Sequence, residues 1–149
     1  MHPPVAVTEF QQDAGLVSPE LRAEIRSRVY WLSPGRVYVK DIPNGNVHTL
    51  RVLCERFFEV IADQEESVQV LVNLTEAERP AAQERALLRS FARASAFRVD
   101  GIAFATGQNV LLNVALKFVL HGAWPAYTVC RTEEEALVAL DHARAHRHR

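Results

Sequence analysis

Apolar positions change spacing several times along the chain, and each change marks a predicted element. From Met1 to about Glu20 no period holds, and Pro3, Pro4, Gly15 and Pro19 break the chain into an irregular arm with Val5, Val7 and Phe10 as apolar anchors. Ile25, Ser27, Val29 and Trp31 then alternate with Arg26, Arg28 and Tyr30, the period of two expected of a half-buried strand. Ser33-Pro34-Gly35 predicts a turn, and Arg36 to Ile42 the returning strand, with Val37, Val39 and Asp41 opposed to Tyr38, Lys40 and Ile42. Asn46 is placed to cap a helix whose apolar positions Val47, Leu50, Leu53, Cys54, Phe57, Phe58 and Ile61 recur at three and four residues, ending near Asp63. Val68 to Leu74 is short, β-branched and apolar almost throughout, as a strand covered on both faces must be. A helix from about Pro80 to Ala94, a strand over Ile102 to Ala105, a helix opened by Asn109 and a strand over Pro125 to Cys130 follow. Thr132 caps the last helix, with Glu133, Glu134 and Glu135 at the positive end of its dipole and Ala136, Leu137, Leu140 and Ala143 on its inner face.

This order, β-β-α-β-α-β-α-β-α, predicts a single α/β domain over residues 21–145, a mixed and mostly parallel sheet flanked by helices. An arm (1–20) and a short tail (146–149) lie outside it.

One helix carries more apolar surface than a single core needs. At about 100° per residue, Asn109, Asn113, Lys117 and His121 form a narrow polar stripe, and Leu111, Leu112, Val114, Ala115, Leu116, Phe118, Val119 and Leu120 fill most of the remaining circumference. With Leu111, Val114, Ala115 and Phe118 turned to the sheet, Leu112, Leu116, Val119 and Leu120 form a second apolar face that something must cover. A second copy of the chain, another protein, a small apolar ligand or the N-terminal arm folding back each satisfies that requirement.

Composition limits the function classes. The 149 residues are 48% hydrophobic and 23% charged, the balance of one globular domain, and a net charge of -1 provides no basic excess for nucleic acid or anionic membrane. Cys54 and Cys130 sit in apolar patterns and read as small buried hydrophobes in a reducing compartment, so the expected location is cytoplasmic. The opening MHPPVAVTEF lacks the order of a secretory signal, and no apolar run approaches the roughly 18 residues of a membrane span.

The element order resembles that of the STAS domain, named for sulfate transporters and bacterial anti-sigma factor antagonists, and the ending AYTVCRTEEEALVAL resembles the last strand and helix of SpoIIAA-like members. The resemblance covers roughly Arg22 to Arg144 and implies a STAS/SpoIIAA-like topology and a regulatory, protein-binding role. In phospho-regulated members an Asp-Ser-Ser/Thr-Gly type motif opens the second major helix. The matching stretch here, Leu74 to Ala82, has no serine or glycine, and its single hydroxyl, Thr75, stands beside Glu76 and Glu78, which repel a dianionic phosphate.

No residue pattern encodes catalysis, a cofactor or a metal site. Thr106-Gly107-Gln108-Asn109 joins a strand to a helix and, with Thr75 at the end of a neighbouring strand, forms a candidate anion or ligand edge; a plain turn capped by Asn109 explains the same residues. Asn73 in its apolar strand reads as a satisfied buried amide. His142 and His146 share a helical face, with Asp141 nearby and His148 beyond, yet the interleaved Arg144, Arg147 and Arg149 read as a solvated tail rather than a metal site. His48 and His121 have no nucleophile at motif spacing, and Asp41, Glu55, Glu59 and Asp63 have no pairing that spacing fixes. Arg22, Arg26 and Arg28, and the row Arg85, Arg89 and Arg93, read as solvated basic faces. The expectation is therefore a non-enzymatic interaction or regulatory domain, forming a homodimer or binding a protein partner. The alternative is a small-ligand domain whose apolar or lipid-like ligand sits in a pocket lined by the 109–121 helix.

Overall fold

The computed structural model describes residues 16–78, 80–120 and 127–147, except for the side chains of Ala115, Phe118, Val119, Leu120 and Arg147. Among the described residues the elements run α1 (Pro19–Arg26), β1 (Val29–Ser33), β2 (Arg36–Lys40), α2 (Val47–Ile61), β3 (Val68–Asn73), α3 (Ala82–Ser95), β4 (Val99–Ala105), α4 (Val110–Leu120), β5 (Tyr127–Cys130) and α5 (Glu133–Arg147).

Local chemistry sets most of these boundaries. At α2 the Asn46 side chain accepts from the amides of His48 (2.9 Å) and Thr49 (3.1 Å), and the Thr49 hydroxyl accepts from the Asn46 amide (2.8 Å), a reciprocal capping box. Asn109 Oδ1 accepts from the Leu112 amide (3.0 Å), and the Thr132 hydroxyl from the Glu135 amide (3.1 Å), as expected for the caps of α4 and α5. Helix α3 starts two residues beyond the expected Pro80, because Ala81 is still extended and occupies the cap position.

The expected strand from Ile25 is corrected. Ser18 accepts from the Leu21 amide (3.2 Å), Pro19 fills the first turn and Glu20 stands at the positive end, so a helix runs to Arg26 and β1 begins only at Val29. Ile25 and Val29, both fully buried, are four residues apart and meet one core from two different elements. At the other end, α5 continues through residues 146 and 147, past the expected start of a tail.

The five strands form one sheet in the order β1-β2-β3-β4-β5, with β1 antiparallel to β2 and every other pair parallel. Parallel strands laid down in sequence need crossovers of one hand, which puts α2, α3 and α4 on the same face. The larger core lies there, between Val37, Val68, Val70, Ile102 and Phe104 of the sheet and Val52, Phe57, Ile61, Leu87, Leu112 and Leu116 of the helices. The opposite face carries Tyr38, Leu71 and Ala103 beneath Ala136 and Leu140 of α5. Gly101, Ala103 and Ala105 alternate onto that face, and their small size lets α5 sit close on β4. A buried polar bridge also fastens α5: Arg36 donates to Gln69 Oε1 (3.1 and 2.8 Å) and to Asp141 (2.7 Å), while Gln69 Nε2 donates to the Leu140 carbonyl (2.8 Å).

The arginines expected as a solvated basic edge are pairing groups. Arg22 binds Glu55 at 2.5 Å, and Arg26 grips both oxygens of Glu59 (2.9 and 2.6 Å), joining α1 to α2. No helix among the described residues is long and apolar enough to cross a membrane.

Candidate functional site

The fold offers three places to examine, two of them at the carboxyl ends of the parallel strands, where open α/β sheets commonly bind ligands.

The first is the polar edge. Thr75, Gly107 and Gln108 do meet there, beside Arg131 and the start of α5 at Glu133, Glu134 and Glu135. Thr106 is instead buried, donating its hydroxyl to the Cys130 carbonyl (3.2 Å), and Asn109 is occupied as the α4 cap. Two backbone donors of this edge are already used: the Thr106 amide donates to the Cys130 carbonyl and the Gly107 amide to the Arg131 carbonyl, both at 2.9 Å. Gly107 makes this turn at a φ of +66°, a left-handed value that favours glycine. The Thr75 hydroxyl donates to Asn73 Oδ1 (2.7 Å), Asn73 Nδ2 donates to the Tyr38 oxygen (3.1 Å) and to the Glu133 carboxylate, and the Tyr38 hydroxyl donates to the same carboxylate. Burial, reinforced by that carboxylate, pushes the Tyr38 phenol up to about 12. This is a satisfied acidic network that joins β2 and β3 to α5, and its charge opposes an anion. Asn73 is therefore a hydrogen-bonded buried amide, as its sequence context suggests.

The second place is α4, where the expected assignment of faces is inverted. Leu112 and Leu116, expected outside, are each 2% exposed and lie in the main core. Leu111 and Val114, expected inside, are 66% and 61% exposed, and Val110 joins them at 72%. Helix α4 packs against α3 as well as over the sheet, and the Leu112–Leu116 row is the one that enters the shared core. Leu112 and Leu116 are thereby removed from any docking face. The side chains of Val119 and Leu120, the other two residues of that expected face, lie outside the described residues, as do Val5, Val7 and Phe10 of the arm and His121.

The third place had no local signal. A partly enclosed cavity of about 90 Å³ lies beneath α2, α3 and α4, over the ends of β2, β3 and β4. Val39, Val70, Val72, Leu74, Ile102 and Phe104 form its floor; Leu50, Leu53, Cys54 and Phe57 of α2, Leu88 and Phe91 of α3, and Leu112 and Leu116 of α4 form its walls. The apolar lining is interrupted by Asp41, Glu78 and Glu84. Asp41 continues the β2 alternation one step beyond the strand, on the same face as Val37 and Val39. Its Oδ1 accepts from the Ile42 amide (2.9 Å). Burial, helped by the negative charge of Glu84, raises its carboxyl to about 6, against the opposing pull of the Ile42 amide and Arg28. Complete burial drives the Cys54 thiol upward, so it is an inert wall residue rather than a nucleophile.

His142 and His146 pack edge to face with ring centroids 4.2 Å apart, and no group of three metal-ligating side chains occurs among the described residues. Cys54 and Cys130 are both free thiols. The fold and these sites define a single-sheet α/β domain with an acid-lipped apolar cavity and an outward apolar helix face. No family model, curated protein or solved structure matches the chain.

Proposed function

We propose that this chain is a non-enzymatic interaction or regulatory domain of the STAS/SpoIIAA-like kind, working in the cytoplasm and self-associating through the outward face of α4. The observation that carries this reading is the row Val110, Leu111 and Val114, left in water on a helix whose opposite face is already buried. Exposing each such side chain forgoes about 1.5–3 kcal/mol relative to burial, and a self-complementary patch recovers that for two copies at once. The element order from β1 onward supports the STAS/SpoIIAA-like topology, and the two free thiols support a reducing compartment. Sedimentation of the parent and of a Leu111→Glu, Val114→Glu double variant tests the proposal. The expected result is a dimeric parent and a folded, monomeric variant; a monomeric parent overturns self-association.

The cavity favours a second reading, a small-ligand domain in which Leu112 and Leu116 of the same helix contact an apolar ligand. At about 90 Å³ it is well below the roughly 300 Å³ of ordinary ligand pockets, so the occupant is a small molecule rather than a lipid chain.

A further inference from the structure

We propose that the cavity beneath α2, α3 and α4 binds a small organic cation, its primary ammonium set against the Asp41 carboxylate and its short aliphatic body in the apolar chamber. This rests on the small-ligand reading and names the chemistry of the ligand.

Three observations carry it. The first is size: about 90 Å³ is about three times the share of volume of one liquid water, room for a body of about three or four carbons. The second is sign. Among the described residues the charged groups lining the cavity are all acidic, namely Asp41, Glu78 and Glu84, so an organic acid of the same shape meets three carboxylates. The third is an acceptor position left for a ligand. Asp41 Oδ1 is held by the Ile42 amide, while its other oxygen has no hydrogen-bond partner among the described residues. An ammonium supplies both a donor and the opposite charge, the combination that makes the strongest hydrogen bonds to carboxylates.

The nearby cations do not fill that role. Arg28 donates from Nη1 to the Asp41 backbone carbonyl (3.0 Å) and faces Glu24 (3.4 Å) and Glu76 (3.6 Å). Lys40, one residue before Asp41, faces Glu76 at 3.5 Å. Burial raises the Asp41 carboxyl to about 6, so at neutral pH it is mostly ionised. Below that value it takes up a proton and loses its pull on a cation, while an aliphatic ammonium, titrating near about 10, stays charged throughout.

The test is amide-resolved NMR titration of the full chain with n-butylamine, 1-butanol and butyrate, three probes of similar shape and different charge. The expected result is n-butylamine shifting the amides around Asp41, Leu74, Glu84 and Leu112, about tenfold tighter than 1-butanol, with butyrate silent. The amine affinity should fall as pH drops through about 6, and Asp41→Asn should remove the advantage of the amine while leaving 1-butanol binding in place. Should Asp41→Asn fail to fold, Glu84→Gln makes the same comparison with a smaller expected loss. Equal binding of amine and alcohol, or an amine advantage that survives Asp41→Asn, overturns the cation proposal and leaves the small-ligand reading standing. Silence of the cavity amides toward all three probes overturns both.

Discussion

Replacing Asp41 with asparagine should stabilise the protein at neutral pH and do almost nothing in acid. The carboxyl rises from its ordinary 3.8 to about 6 on folding, chiefly because burial disfavours its charge. A group whose folded value lies above its unfolded value binds its proton more tightly in the folded state, so stability falls as pH climbs between the two values. Below 3.8 both states are protonated and there is no penalty; above about 6 the penalty is complete, on the order of 3 kcal/mol. Asparagine carries no charge in either state and keeps an oxygen for the Ile42 amide, now 2.9 Å from Asp41 Oδ1. Urea unfolding of both proteins from about pH 4 to pH 7.5 reads the difference. It should open from near zero to about 2–3 kcal/mol in favour of asparagine, a midpoint shift of roughly 1–1.5 M for a slope near 2 kcal/mol/M. Groups such as Glu59, which Arg26 holds below its usual range, titrate in both proteins and cancel. Arg28 and Glu84, which act directly on Asp41, lose that interaction in the variant, and their effect belongs to the measured difference. A difference that stays flat with pH, or an asparagine variant weaker than the parent at pH 7.5, would refute the reasoning.

The polar network and the polar edge each give a further expectation. Gln69→Leu removes both acceptor contacts to the buried Arg36 guanidinium and the donor to Leu140, and should lower unfolding stability by about 2–3 kcal/mol; a loss under about 0.5 kcal/mol, the scale of surface substitutions, would show that the network does not hold α5. Thr75→Ala removes one hydroxyl bond to Asn73 and should cost about 1 kcal/mol while leaving self-association by sedimentation unchanged. Phosphate found on Thr75, together with a changed oligomeric state in the variant, would restore the phosphorylation switch.

What the sequence disclosed and what it hid divide along physical lines. The caps Asn46, Asn109 and Thr132 were readable because each acts on amides two or three residues away. The apolar run Val68–Asn73 was readable because a central parallel strand is covered on both faces. Helix α1 was hidden by coincidence: Ile25, Ser27, Val29 and Trp31 satisfy a period of two, yet the Ser18-Pro19-Glu20 start that overrides it lies in a stretch broken by prolines. The inner face of α4 was hidden for a different reason. A helix that is apolar nearly all round has no period to say which side faces in, and the choice falls to its packing against α3. The cavity draws its lining from six segments of the chain, so no window of sequence contains it. Asp41 alone left a trace, since the alternation already puts it on the buried side with Val37 and Val39.

That trace bears on why a carboxylate stands in an apolar chamber. The backbone bond from Ile42 needs only a short side chain with an acceptor, which asparagine has, and Val39 shows that this face of the sheet accepts an aliphatic residue. What aspartate adds over either is negative charge, at a cost to stability and close to a second acid at Glu84. Charge held against its own desolvation beside an open volume suits a cation that arrives from outside, because Arg28 offsets that charge only in part, its hydrogen bond going to the Asp41 backbone carbonyl, and Lys40 faces Glu76. Such a cation would rest against Leu112 and Leu116, one turn or less from Leu111 and Val114 on the outer side of the same helix. The two proposed surfaces thus share α4: a ligand that selects one seating of this helix over another shifts the population of the outer face by its difference in affinity, and association at that face acts back on the cavity by the same factor.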